Sequence, residues 1–294
     1  MELIDGKKVS AAIREELNVK VQKLVSEGKN IPGLVAILVG DDPASSIYVE
    51  SKGKACNEIG MRSKTLRLSK DISEKELLDI VHQYNNDNDY HGILVQLPLP
   101  KHIDENKVIE AISPSKDVDG FHPISIGNLV IGKDALVSCT PAGIQELLTR
   151  YNIDTKGKHV VVLGRSNIVG KPIANIMLQK KPNANAVVTI CHSAAKNLAD
   201  YTRSADILIA AIGVSEFVKA DMVKEGVVVI DVGINRVEDS STKKGYRITG
   251  DVAFNEVAPK CSFITPVPGG VGPMTIAMLM SNTFKAFKKI NNYE

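Results

Sequence analysis

VVVLGRSNIVGKPIANIM, residues 160–177, reads as a buried strand, a tight loop and a helix in immediate succession. The apolar run ends at Gly164, Gly170 opens the helix, and Pro172 fits its first turn, where a missing N–H costs little. Such a unit sets a helix N-terminus beyond the C-terminal end of a strand. Free amides there attract an anion, and Arg165 adds a fixed guanidinium beside them. The loop lacks the full G-x-G-x-x-G pattern, with Arg165 at the second position. Glycine spacing alone therefore leaves two readings open: a dinucleotide-binding turn, or an ordinary βα turn with a solvated arginine.

The same alternation extends through the chain in both directions. Apolar, β-branched runs at 33–40, 92–98, 159–164, 186–191, 207–213 and 227–233 predict strands. They are continuously apolar, as strands covered on both faces of a parallel sheet should be. Helical stretches fall between or around them at about 7–28, 44–59, 73–86, 140–151, 171–180, 196–203 and 273–289. The fold class is α/β with right-handed crossovers. One strand–helix set fills the chain to about residue 118, and a second starts afresh at GKHVVVLG, residues 157–164. Between them, CTPAGIQELLTRYNI (139–153) offers Thr140 as an N-cap and Pro141 at the first helical position, a helix joining two domains. The expected division is residues 1–138, then 139–272, with the terminal stretch 273–294 free by pattern to dock on either.

Composition narrows the function classes. The 294 residues are 44% apolar and 24% charged, enough for two packed cores. A net charge of +2 gives no broad basic surface for nucleic acid, and the absence of Trp argues against a base-stacking platform. No apolar run approaches the ~18 residues of a membrane span. The six histidines show no metal-binding spacing, so no metal is expected. Cys56, Cys139, Cys191 and Cys261 form no CxxC pair and there is no signal-like start, so reduced thiols in the cytoplasm are expected.

Ligands of open α/β sheets gather beyond the C-terminal ends of the strands. Those ends carry Asp41 and Asp42, Gln96, Arg165 and Ser166, His192 and Ser193, and Gly213. The strand 186–191 leads into Cys191, His192 and Ser193, with no acid to take a ribose 2′-hydroxyl. Ser193 and Arg165 suit a 2′-phosphate instead, which favours NADP over NAD. His192 by itself reads as a packed or surface histidine.

Three loops and one helix add chemistry. In SSIYVESKGKAC (45–56), Tyr48 and Lys52 share a helical face one turn apart, an arrangement that in isolation means packing and solvation. In LVQLPLP (94–100), Gln96 can donate and accept at once, or merely cap its loop. SPSKDVDGFHP (113–123) carries Asp117 and Asp119. Both residues suit a turn, and Asp119 also suits paired N–H groups of an aminopyrimidinone ring. FITPVPGGVGPMT (263–275) combines stiffening prolines with Gly269, Gly270 and Gly272, a density that favours a ligand-contacting loop over a connector.

Together these motifs resemble one family. DDPASSIYVESK (41–52), GILVQLPLP (92–100), SKDVDGFHP (115–123), VVLGRSNIVGKP (161–172), VIDVGIN (229–235) and PVPGGVGPMT (266–275) are similar, in this order, to the bifunctional methylenetetrahydrofolate dehydrogenase/methenyltetrahydrofolate cyclohydrolases. The resemblance implies an N-terminal α/β domain and a Rossmann-type NADP domain with the active cleft between them. It also implies a terminal helix that returns to the first domain, a homodimer, and a folate substrate, polyglutamylated or not. By resemblance Lys52 is the catalytic amine, assisted by Gln96, with Tyr48 against the folate rings and Asp119 anchoring the pterin. Val95, Leu97, Pro268, Gly269 and Gly272 line the folate site, while Gly164, Arg165, Ser166, Ser193 and Ile234 contact NADP. The stretch HPISIGNL (122–129) departs from the family pattern, where an asparagine is expected near Ser125. The chemistry implied is hydride loss to NADP followed by hydrolysis of the resulting cation. Partial burial and an adjacent cationic substrate would favour the neutral amine that a base at Lys52 requires. Two rival readings share parts of the pattern: another nicotinamide-dependent dehydrogenase acting on a small hydroxy or amino acid, and a non-enzymatic folate- or nucleotide-binding module.

Overall fold

Apolar runs flanked by turn residues become the strands of two parallel sheets, and amphipathic stretches become the helices that cover them. In the computed structural model, residues 1–242 and 245–293 are described; Glu294, the end of the terminal stretch, lies outside them. The chain runs β1 (Glu2–Leu3), α1 (Gly6–Ser26), β2 (Gly33–Val39), α2 (Pro43–Glu58), β3 (Arg62–Leu68), α3 (Glu74–Asn85), β4 (Gly92–Val95), α4 (Glu105–Ala111) and α5 (Pro123–Val130). It continues with α6 (Cys139–Arg150), β5 (His159–Leu163), α7 (Gly170–Met177), β6 (Val187–Cys191), α8 (Leu198–Ser204), β7 (Ile207–Ala210) and β8 (Val227–Asp231). Last come β9 (Asn235–Glu238), β10 (Tyr246–Thr249), α9 (Phe254–Val257), β11 (Cys261–Ile264) and α10 (Val271–Ile290).

Two compact units result: Met1–Ser10 with Thr140–Thr275, and Ala11–Cys139 with Ile276–Glu294. The division thus differs from 1–138, 139–272 and 273–294 at its ends. The physical reason is β1, which pairs in parallel with β11, Glu2 opposite Phe263, and so carries the first ten residues into the other unit's sheet. Both long terminal helices, α1 and α10, contain a boundary between units.

In the unit built mainly from residues 11–139, the parallel sheet has the order β3-β2-β4. Every residue of β2 and β4 is buried. α3 packs Leu77, Val81 and Tyr84 on Val35, Ile37 and Val39, the i, i+4, i+7 stripe of an amphipathic helix. A reciprocal Ser73–Glu76 capping box starts that helix. β3, RSKTLRL, carries too few apolar residues to register as a strand by pattern. It forms because the exposed edge of β2 offers it a full ladder, from Gly33–Arg62 to Val39–Leu68. The C-terminal part of α10 belongs to this unit: Asn282 donates to the carbonyls of Val118 and Val137 at 2.8 Å each, and Phe287 meets His91 edge-on at 4.9 Å.

The other unit holds a six-stranded sheet in the order β1-β11-β8-β7-β5-β6. β7 and β8 are buried throughout, and β5 is buried from its second residue. β6 departs from the expectation of a strand covered on both faces. It is an edge strand, with Val187 61% and Ile190 42% exposed.

Candidate active site

Within the unit built mainly from residues 11–139, one group of side chains gathers at the C-terminal ends of β2 and β4. Asp42 caps α2 by accepting the Ser45 amide at 2.7 Å, and Pro43 occupies the first turn, so the helix starts immediately beyond β2. Three turns on, Lys52 is half-buried, while Tyr48 on the same face is 53% exposed. The Lys52 amine donates to Gln96 Oε1 at 3.0 Å. The Gln96 amide is not free to rotate: its Nε2 donates to the Leu97 carbonyl at 2.7 Å, which leaves the oxygen facing the amine. Its backbone N–H, bonded to the Ile37 carbonyl at 2.9 Å, anchors it just past β4, between buried Val95 and half-buried Leu97.

The two acids that follow divide their labour. Asp117 is buried and fully engaged, accepting from the His122 amide at 2.9 Å, the Ser125 hydroxyl at 2.9 Å and the Phe121 amide at 3.3 Å. It closes the loop, as a turn aspartate does. Ser125 thus supplies a hydroxyl donor to this carboxylate. Asp119 is left half-buried, and desolvation pushes its carboxyl up to about 6 against the pull of the nearby Lys52 charge. The amine therefore does not have an exclusively neutral surrounding: Asp119 lies within electrostatic reach. Gly120, at φ +70°, has no alternative, since a Cβ there would strike the Ser138 amide. Sequence reasoning missed Asn282, which braces the Asp119 loop through the Val118 carbonyl. The available signal was an amide in the middle of the apolar run MLMSNTF.

In the other unit, β5 ends at Gly164, whose φ is +123° and whose Cβ would collide with the Ala211 carbonyl oxygen. Only glycine fits between β5 and β7 at this level. Arg165 and Ser166 follow, both exposed. The Ser166 hydroxyl accepts the amides of Val169 at 3.2 Å and Gly170 at 3.3 Å, so it organises the start of α7. Ser193 is exposed beyond β6, and Ile234 is exposed beyond β8. Because β5, β6 and β8 run parallel, these residues lie at one edge of the sheet. His192 closes its own turn, its Nδ1 accepting the Ala194 amide at 3.3 Å. Burial pushes the Cys191 thiol up to about 11, which removes it as a nucleophile.

The proline–glycine loop after β11 is partly explained by internal packing. Gly269 has φ +114°, its carbonyl accepts the Lys7 amide at 3.2 Å, and Gly270 sits against Thr265 and Pro266 too closely for a side chain. Gly6 touches the Gly270 carbonyl in the same way. Gly272 is different: a Cβ there would make only ordinary contact, 3.7 Å from Ile234 Cδ1. Gly272 thus borders Ile234, and Pro268 and Gly269 belong to the same loop. Among the described residues, no cluster of three or more His, Cys, Asp or Glu side chains could hold a metal ion, and no helix is long and apolar enough to cross a membrane.

Comparison with known proteins gives a concordant result. The family model for the tetrahydrofolate dehydrogenase/cyclohydrolase catalytic domain matches residues 4–119, and that for the corresponding NAD(P)-binding domain matches residues 138–291. The bifunctional protein FolD of Pelodictyon phaeoclathratiforme is 60% identical over 294 residues, covering 99% of this chain and all of the relative. The crystal structure of the bifunctional FolD methylenetetrahydrofolate dehydrogenase/cyclohydrolase from Campylobacter jejuni is 52% identical, covers 99% of each chain and superposes with a TM-score of 0.93. The Trypanosoma brucei methylenetetrahydrofolate dehydrogenase-cyclohydrolase, solved with NADP and an inhibitor, is 39% identical, covers 98% of each chain and has a TM-score of 0.92.

Proposed function

Because the chain belongs to the tetrahydrofolate dehydrogenase/cyclohydrolase family, we propose that it oxidises methylenetetrahydrofolate with NADP and hydrolyses the methenyl product to 10-formyltetrahydrofolate. In the first step a hydride leaves the one-carbon bridge for the nicotinamide, and the bridge becomes a cation stabilised by its two nitrogens. In the second, water adds to that carbon, gives up a proton, and the carbon–nitrogen bond on the pterin side opens. One proton is released overall, so the site needs a group that can take it.

Lys52 is that group in this proposal. The observation that carries it is the 3.0 Å bond to Gln96, whose own amide is fixed by the Leu97 carbonyl. A neutral partner orients the amine without adding the negative charge that would hold the ammonium form. Tyr48, exposed one turn earlier, offers a ring face to the folate, and Val95 and Leu97 contribute the apolar wall beside Gln96. Asp119, with oxygens that Asp117 has freed from loop closure, accepts the paired N–H groups of the pterin. Pro268, Gly269 and Gly272 supply backbone to the folate from their loop.

For the cofactor, the Gly164 turn lets backbone approach a diphosphate at the start of α7, with Ser166 beside it. Arg165 and Ser193 are exposed and suit a 2′-phosphate, with no acid at the end of β6 to repel one. Ile234 supplies an apolar surface for the nicotinamide. The protein in this proposal is a homodimer: the unpaired edge of β6, with exposed Val187 and Ile190, is a surface that a second copy would cover. The four cysteines are unpaired and buried, which fits a reducing, cytoplasmic location.

The test is parallel measurement of both reactions on purified protein, with NADP and with NAD. NADP-dependent absorbance change with methylenetetrahydrofolate, together with accelerated decay of the methenyl substrate, is the expected result. Activity with a small hydroxy acid and none with folate would replace the proposal by the rival dehydrogenase.

A further inference from the structure

Two carboxylates lie buried beyond the centre of the six-stranded sheet. Asp231 ends β8 and is 3% exposed; Asp251, two residues past β10, is 0% exposed. Among the described residues neither is in an ion pair, and Arg247 nearby is paired with Glu216 and Asp239. Their oxygens instead accept N–H groups. Asp231 takes the amides of Gly233 at 3.0 Å, Asp251 at 2.8 Å and Val252 at 3.0 Å. Asp251 Oδ2 takes the amides of Ile212 at 2.7 Å and Gly213 at 2.9 Å, and its Oδ1 takes Asn235 Nδ2 at 2.9 Å.

The backbone is shaped around the pair. A Cβ at Gly233 would strike the Asp251 carboxylate, and one at Gly250 would strike that of Asp231. Burying like charges together is costly, and burial, with Asp251 adding to it, pushes the Asp231 carboxyl up to about 6. Filling the space does not require this. An asparagine has nearly the same volume, but it has one acceptor oxygen where Asp251 uses two.

The donors that Asp251 collects share a location. Ile212 and Gly213 follow β7, and Asn235 follows Ile234 beyond β8, all at the sheet edge that carries Gly164. In the order β8-β7-β5-β6, Arg165 and Ser193 belong to the β5–β6 side. A dinucleotide whose 2′-phosphate lies there, laid across the strand ends, brings its nicotinamide over β7 and β8.

We propose that Asp251 is a positioning residue for hydride transfer: its carboxylate clamps the Ile212–Gly213 loop to Asn235, and so to Ile234, fixing the surface on which the nicotinamide rests. This rests on the NADP reading above. The groups the clamp bonds, Ile212, Gly213 and Asn235, include neither Arg165 and Ser193 nor Lys52 and Gln96.

The test uses Asp251→Asn in the full chain, with NADP, with 2′,5′-ADP as a probe of the adenosine end, and with methenyltetrahydrofolate as the hydrolysis substrate. Misplacing a reacting group by about an ångström costs on the order of a hundredfold. The expected result is therefore a tenfold to hundredfold fall in dehydrogenase kcat (roughly the range that such misplacement covers), with 2′,5′-ADP affinity and methenyl hydrolysis unchanged. Asn235→Ala keeps the carboxylate and its backbone bonds and should show the same split to a smaller degree; it decides the matter if Asp251→Asn does not fold. Equal losses in all three readouts, in step with a lowered Tm, would mark Asp251 as scaffold alone and overturn the proposal. So would an undiminished kcat in the folded variant. Failure of the unmodified protein to bind 2′,5′-ADP would instead remove the NADP reading on which the proposal stands.

Discussion

Lys52 and Gln96 are 44 residues apart in sequence and 3.0 Å apart in space, joined by a hydrogen bond whose direction the Leu97 carbonyl enforces. α2 carries the amine and the end of β4 carries the amide, so β2 and the ladder from Leu34–Gly92 to Ile37–Val95 set their register. Lys52→Met should abolish methenyl hydrolysis while leaving the circular-dichroism spectrum unchanged, since the side chain is half-buried and methionine fills its stem. Near-normal hydrolysis by that variant would remove Lys52 from the mechanism.

Gln96→Glu is the sharper substitution. It preserves shape and places a negative charge at the amine, which favours the ammonium form. Cyclohydrolase kcat at pH 7 should drop by roughly tenfold or more, for about 1.4 kcal/mol of added bias. The pH–rate profile should shift upward. An unaltered profile would show that the neutral character of this partner is unimportant.

Arg165→Ala should raise the KM for NADP by about tenfold or more, as loss of a charge-assisted bond to a phosphate would. The folate KM should change little. Steady-state kinetics with each substrate varied in turn separates the two, and a parallel rise in both would argue against a 2′-phosphate contact.

Asp119 gives a pH prediction with a definite sign. Its carboxyl is raised from 3.8 to about 6 in the folded protein, chiefly by burial. The native state then holds more protons than the unfolded chain between those values, so this group's contribution to stability declines as pH rises from about 4 to about 6. Substrate anchoring runs the other way, because only the ionised form accepts two N–H groups. The folate KM should rise as pH falls through about 6. Asp119→Asn should raise the KM at every pH and flatten that dependence.

Ser125→Ala removes the hydroxyl that meets buried Asp117. A hydrogen bond to a charged acceptor contributes about 1.5–3 kcal/mol, so urea unfolding should show a loss near that size. Ser125→Asn retains a donor and should recover part of it. If both variants match the parent, the bond holds nothing.

Residues 160–177 were enough to indicate a parallel α/β sheet with a βα turn, because continuous apolar runs and helix-start residues act locally and leave a pattern in the chain. The motifs at Lys52, Gln96, Asp119, Gly164 and Pro268–Gly272 were visible for the same reason, each a short stretch of uncommon composition. Other features have no local signature. β3 exists because β2 offers a ladder, β1 joins the second sheet because β11 has a free edge, and β6 is exposed because it pairs with β5 alone and ends the sheet. Which of Asp117 and Asp119 closes the loop depended on where Ser125 and His122 fall in space. Asp231 and Asp251 are 20 residues apart in sequence and share a buried site only because the fold brings them together. Local propensity is written residue by residue, whereas partnership and burial are settled between segments far apart along the chain, and only the tertiary structure decides them.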